Sequence, residues 1–116
     1  MIRAYVDLDD LTLEMKGHAG MTGDNTFDMV CCAASFCAQQ LLYSCEEENE
    51  RDNSLKRQEL KMEPGDMRLH LVPVSYRREK YRQKMLYAME GLELLEEMYP
   101  AAIELATKGK EGEEDL

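Results

Sequence analysis

The sequence predicts an α+β domain in which a small antiparallel or mixed β-sheet, built from hairpins, is covered by two helices. Three observations support this prediction: two pairs of segments with alternating apolar residues, two longer segments with helical apolar spacing, and their order ββαββα. A chain of 116 residues can bury one core without metals or disulfides, so one domain is expected. We place this domain at residues 1–106 and predict a disordered acidic tail at residues 107–116.

Alternation of apolar and polar residues predicts the strands of the two hairpins. Ile2, Ala4 and Val6 alternate with polar or larger neighbours, and a second alternating segment follows an acidic turn. A second pair of alternating segments flanks the turn at residues 64–66. Residues 102–105 could add a short last strand.

Apolar residues at three- and four-residue spacing predict a first helix that ends at about Ser44. Asp28, or alternatively Thr26, is the expected N-terminal cap, because a short oxygen side chain accepts hydrogen bonds from the first free N–H groups. Cys31 then lies in the first turn. The charged residues 46–54 are too polar to pack and are interpreted as a surface loop. The expected buried stripe is Val30, Ala34, Cys37, Leu41 and Cys45.

A second helix is predicted from about Tyr76 to Tyr99, where Pro100 stops it. Its apolar residues recur with the same helical spacing and should face the sheet. They are Tyr81, Met85, Ala88, Leu92, Leu95 and Tyr99.

The charge and hydropathy of the chain exclude some classes of partner. A formal net charge of −10 argues against direct binding of nucleic acid, which depends on clustered Lys and Arg, and favours a basic partner. No apolar run approaches the ~20 residues of a membrane span, and the N-terminal residues lack the apolar core of a signal peptide. We therefore expect a cytoplasmic protein that does not bind membranes.

Four cysteines, at positions 31, 32, 37 and 45, lie within the first predicted helix. Cys31 and Cys45 would be ~21 Å apart along such a helix, whereas a disulfide needs Cα atoms within about 7 Å. Zinc sites usually combine paired cysteines with a second pair of ligands elsewhere, and neither histidine completes such a set. We expect reduced thiols and no metal.

His18 and Cys31 have the features of a nucleophilic thiol site. Thiolate is the attacking species, and a nearby imidazole and a helix N-terminus both favour it. Such a pair could carry out acyl transfer: Cys31 attacks a carbonyl, and His18 protonates the leaving amine. Free N–H groups at the helix start could stabilise the oxyanion. Ser35 follows Cys31 by four residues and shares its helix face.

The motifs GHA at residues 17–19 and DMVCCAAS at residues 28–35 resemble the Prp family of bacterial ribosomal-processing cysteine proteases. The segment GLELLEEMYPAAIEL, at residues 91–105, resembles the family's ending, so the similarity is nearly full-length. The resemblance implies a homodimeric cysteine endopeptidase that needs no cofactor. Its implied substrate is the precursor of a large-subunit ribosomal protein, from which it removes a short N-terminal extension.

Carried over residue by residue, the resemblance implies that His18 is the catalytic histidine and Cys31 the nucleophile. Four further residues match the family motifs and are expected to support the site or bind substrate: Gly17, Ala19, Asp28 and Ser35.

Two features leave alternatives open. The segment between His18 and Cys31 is one residue longer than the family pattern, and a second cysteine, Cys32, follows the first. The spacing of Asp28, Cys31 and Ser35 favours Cys31 as the nucleophile. Besides a protease, the sequence is compatible with a non-catalytic acidic ribosome-associated binding module that captures a basic peptide. It is also compatible with a thiol redox or metal sensor that uses the adjacent cysteines.

Overall fold

The computed structural model describes residues 1–18 and 25–110, and for residues 25–28 the backbone alone. Within these residues the chain forms five strands and two long helices. In chain order they are β1 (Ile2–Asp7), β2 (Thr12–Lys16), α1 (Asn25–Asp52), β3 (Leu55–Glu63), β4 (Asp66–Pro73), α2 (Arg78–Met98) and β5 (Ile103–Lys108). The strands form one mixed sheet with the order β3-β4-β2-β1-β5. The pair β1 and β5 is parallel, and the other neighbouring strands are antiparallel. This arrangement confirms the predicted α+β class.

The strand register gathers the alternating apolar residues on one face of the sheet. Val6 pairs with Leu13, which in turn pairs with Leu69, and all three are fully buried. The residues between them, such as Arg3 and Arg68, are exposed. The alternation therefore predicted both hairpins and their buried face, because successive side chains of a strand point to opposite sides.

Strand β5 lies at the edge of the sheet, parallel to β1, and α2 carries the chain to it from β4. The strand runs to Lys108 and so extends beyond the predicted domain boundary at residue 106. Beyond it, the Arg82 guanidinium donates to the carbonyl oxygen of Gly109 at 2.9 Å, and Lys110 pairs with Glu93 at 2.8 Å. Residues 111–116 of the predicted acidic tail lie outside the described residues.

Both helices bury one stripe against the sheet. On α1 the buried residues include Ala38 rather than the predicted Cys37, which is half-buried and faces Gly91 of α2. On α2 the predicted stripe is buried as far as Leu92, while Leu95 and Tyr99 are half-buried. No helix of the described ranges is long and apolar enough to cross a membrane.

Helix α1 is longer than predicted at both ends. It begins at Asn25, so Asp28 and Thr26 lie inside the helix rather than at its cap. It also continues to Asp52, so the interpretation of residues 46–54 as a surface loop was wrong for residues 46–52. The prediction failed because it judged this charged segment by polarity alone, whereas Glu is a good helix former.

Glu48 explains why the charged segment packs as a helix. It lies three residues after the buried Cys45, and its side chain is only 2% exposed. Its carboxylate accepts from Arg51 at 2.8 Å and pairs with Lys80 of α2 at 3.1 Å. A buried carboxylate is tolerated when it is paired in this way, and here it links the two helices.

Replacement of Glu48 by Gln is expected to lower the free energy of unfolding by about 2 kcal/mol at pH 7, the usual loss for hydrogen bonds to charged groups. The Arg51 hydrogen bond, helped by Lys80, lowers the pKa of Glu48 from 4.5 to about 2. Because the folded pKa is the lower one, this stabilisation is present above pH 4.5 and is lost as the pH falls towards 2. Urea denaturation at pH 7 and pH 3 measures both effects.

The matched control for this prediction is Glu50→Gln, which removes an exposed carboxylate two residues away on the same helix. It should change the free energy of unfolding by less than about 0.5 kcal/mol at either pH. If Glu48→Gln lowers the free energy of unfolding equally at pH 7 and pH 3, the ionised Glu48 carboxylate is not the source of the stabilisation.

Candidate active site

His18 lies two residues after the end of β2, and backbone contacts hold this segment in place. Gly17 has a φ of +96°, a backbone conformation that residues other than glycine rarely adopt. Its N–H donates to the Gly65 carbonyl oxygen at 2.9 Å. The nitrogen of Met1 donates to the His18 carbonyl oxygen at 2.8 Å. The His18 side chain itself is exposed. Ala19, the third residue of the predicted motif, lies outside the described residues.

Cys31 is half-buried on α1, between Val30 of the buried stripe and the exposed Cys32. It is the seventh residue of the helix, about 9 Å from the first. The prediction that Cys31 lies in the first turn was therefore wrong. Because the effect of the helix dipole falls off within that turn, neither the dipole nor the first free N–H groups act at Cys31.

Residues of both predicted motifs, the one around His18 and the one around Cys31, line the same cavity of about 430 Å³. Four of the six predicted site residues line it: Gly17, His18, Cys31 and Ser35. Of the other two, Ala19 is undescribed and Asp28 is described by its backbone alone, within α1. The remaining lining residues are Ile2, Met15, Ala34, Ala38, Gln39, Met62, Glu63, Pro64, Gly65, Asp66 and Met67.

The four thiols, all free, differ in their surroundings. Burial raises the pKa of Cys45 to about 12 and also raises the pKa of Cys37, so both stay protonated at neutral pH. Cys31 lines the cavity, whereas Cys32 is exposed and does not line it.

The wall opposite α1 is formed by the hairpin of β3 and β4, which no sequence motif connects with the site. The Gln39 amide of α1 reaches across to the Met62 sulfur of β3 at 3.2 Å. Two carboxylates also line this wall, those of Glu63 and Asp66. A hydrogen bond from Lys61 at 2.7 Å lowers the pKa of Asp66. The Pro-Gly turn was recognisable in the sequence, but its distance from His18 was not.

The family model described as Cysteine protease Prp matches residues 1–104 of the chain. A comparison with curated proteins gave no match.

Solved structures share the fold. The crystal structure of SMU.848 from Streptococcus mutans is 21% identical, with a TM-score of 0.68, covering 93% of this chain and 94% of that one. Two structures of an essential ribosomal processing protease Prp from S. aureus have TM-scores of 0.65 and cover 93% of this chain and all of that one. One holds a covalently linked product peptide, at 21% identity, and the other a substrate peptide, at 19% identity.

Proposed function

Because the chain belongs to the cysteine protease Prp family, and is accordingly a cysteine protease, we propose that it processes a ribosomal protein. In this proposal it removes a short N-terminal extension from the precursor of a large-subunit ribosomal protein. The observation that carries the proposal is the cavity that His18 and Cys31 line together. The peptides held by the two S. aureus relatives support it.

The proposed mechanism uses Cys31 and His18 as a dyad. His18 takes the proton of the Cys31 thiol, and the resulting thiolate attacks the scissile carbonyl carbon. The imidazolium then gives its proton to the leaving amine as the peptide C–N bond breaks, which leaves a thioester on Cys31. Water, deprotonated by His18, hydrolyses the thioester and releases the second product. Since Cys31 lies beyond the reach of the helix dipole, formation of the thiolate depends on His18.

The cavity has the length and lining that a peptide needs. Gln39 lies eight residues after Cys31, about 12 Å further along α1, a distance that an extended peptide covers with about four residues. The Met62 sulfur that the Gln39 amide contacts is a weak acceptor, so this amide is available to a substrate carbonyl. Ser35, one turn after Cys31, is the second side chain of α1 that could bind the peptide backbone.

The acidic charge of the chain and of the cavity lining supports a basic substrate. The net charge of the chain is −10, and the charged residues among those described that line the cavity are the carboxylates Glu63 and Asp66. Ribosomal protein precursors carry many Lys and Arg residues, so this charge would attract them. We place the protein in the cytoplasm, where such precursors are made.

We further propose that the protein is a homodimer. On both helices the face opposite the sheet carries large apolar side chains that are more than half exposed: Phe36, Tyr43, Tyr87, Leu94 and Met98. Such a surface is typical of a protein interface. Sedimentation equilibrium should give about twice the 13.4 kDa mass of the chain, and Phe36→Glu should lower it towards 13.4 kDa. A wild-type mass of 13.4 kDa at micromolar concentration would contradict the dimer.

The test of the proposed function is incubation of the protein with a ribosomal protein precursor that carries its N-terminal extension. We expect one new product, shorter by the extension, in the mass spectrum. The matched control is the same ribosomal protein without its N-terminal extension, which should stay intact. If the precursor binds but is not cleaved, the acidic binding module is the better interpretation.

A further inference from the structure

Gly65, in the turn between β3 and β4, lies directly against the imidazole ring of His18. A Cβ added at this position would be 2.9 Å from Cε1 and 3.1 Å from Cδ2 of His18, and closer still to Nε2. Real Cβ atoms essentially never come within 3.0 Å of another atom, so Nε2 and Cε1 of the ring would have to shift away from such a Cβ. The ring therefore packs on a surface that only glycine provides.

The backbone ties the same turn to the segment that carries His18. The N–H of Gly17 donates to the carbonyl oxygen of Gly65 at 2.9 Å, and the neighbouring residues Lys16 and Asp66 are paired in the sheet. Gly65 also has a φ of +73°, which favours glycine on its own account. The turn thus holds both the backbone before His18 and the edge of its ring.

We propose that Gly65 is a positioning residue that sets the place of the His18 imidazole at the cavity that Cys31 lines, an inference that rests on the proposed function. Gly65 takes no part in the chemistry. A side chain at position 65 would push the ring away, and a displacement of about 1 Å in a catalytic group can cost about 100-fold in rate.

Two substitutions separate the contact with the ring from backbone strain. Gly65→Ala introduces both a Cβ and strain, whereas Gly65→Asn introduces a Cβ on a residue that tolerates positive φ. We expect both variants to fold, to shift the NMR resonances of the His18 ring, and to lower kcat for precursor cleavage about 100-fold. The fall in melting temperature should be smaller for Gly65→Asn than for Gly65→Ala.

The matched control is Gly109→Ala. Gly109 has a φ of +92°, and a Cβ there would lie 2.8 Å from an Asp9 oxygen, so its strain is similar while it does not line the cavity. This variant should lose melting temperature, by about 4–8 °C for each kcal/mol of strain. Its His18 resonances and its kcat should equal those of the wild type.

Unchanged His18 resonances in Gly65→Asn, or a kcat within twofold of the wild type, would overturn the inference. An equal loss of kcat in Gly109→Ala would overturn it as well, because general strain would then explain the effect. The NMR measurement does not depend on proteolysis. If the wild type fails to cleave the precursor, the proposed function fails, while the ring displacement still shows whether Gly65 positions His18.

Discussion

Replacing Cys31 by alanine is expected to lower kcat/KM for precursor cleavage by at least about 10⁴-fold. The proposed mechanism forms a thioester on this sulfur, and alanine offers no atom that can form it. The alanine side chain is smaller and fits the same half-buried position, so the fold should be kept. Single-turnover cleavage, followed by mass spectrometry, measures the loss.

Cys32→Ala is the matched control, because it removes an adjacent thiol of the same helix. Cys32 is exposed and does not line the cavity, so kcat/KM should stay within about twofold of the wild type. The reverse result, with cleavage lost in Cys32→Ala and kept in Cys31→Ala, would assign the nucleophile to the neighbour. Equal losses in both variants would show that cleavage needs both thiols and would contradict a dyad of Cys31 and His18 alone.

Replacing His18 by alanine is expected to lower kcat about 10³-fold, within the range of 10²–10⁴ for general acid–base catalysis. In the proposed mechanism the variant loses both the base that forms the thiolate and the acid that protonates the leaving amine. It should also slow the alkylation of Cys31 by iodoacetamide at pH 7. Since Cys31 is the seventh residue of α1, the helix dipole does not compensate for the missing imidazole.

His70→Ala is the control for this prediction, since His70 is the second of the two histidines in the chain. It lies in β4, where its Nδ1 is 2.6 Å from a carboxylate oxygen of Glu59 and its Nε2 is 3.5 Å from one of Asp10. It does not line the cavity. Both cleavage and the alkylation of Cys31 should match the wild type. Rapid alkylation of Cys31 in His18→Ala would show that another group activates the thiol.

Much of the fold could be predicted because the signals are local. The alternation around Val6 and Leu69 predicted strands and their buried face, and Pro100 marked the end of α2. The charged end of α1 could not be predicted in this way. Glu48 is buried because Lys80, 32 positions away in the chain, lies across from it, and no local pattern reports such a pairing.

The residues of the candidate site also divide into those that local motifs identify and those that only packing brings to the site. His18, Cys31 and Ser35 could be selected from short motifs, and all three line the cavity. Gln39 and Gly65 could not, since a glutamine in a helix and a glycine in a turn are ordinary residues in the sequence. Their relation to the site depends on how α1 packs against the hairpin of β3 and β4.

The sequence alone determined the fold class, the family and a pair of candidate reactive residues of this protein, because these follow from periodicity and from motifs a few residues long. Its tertiary structure alone decided which thiols are buried, which wall faces Cys31, and that Gly65 lies against the His18 ring. The physical reason is that these properties depend on distances between residues far apart in the chain. Such distances are set by the packing of the two helices on the sheet.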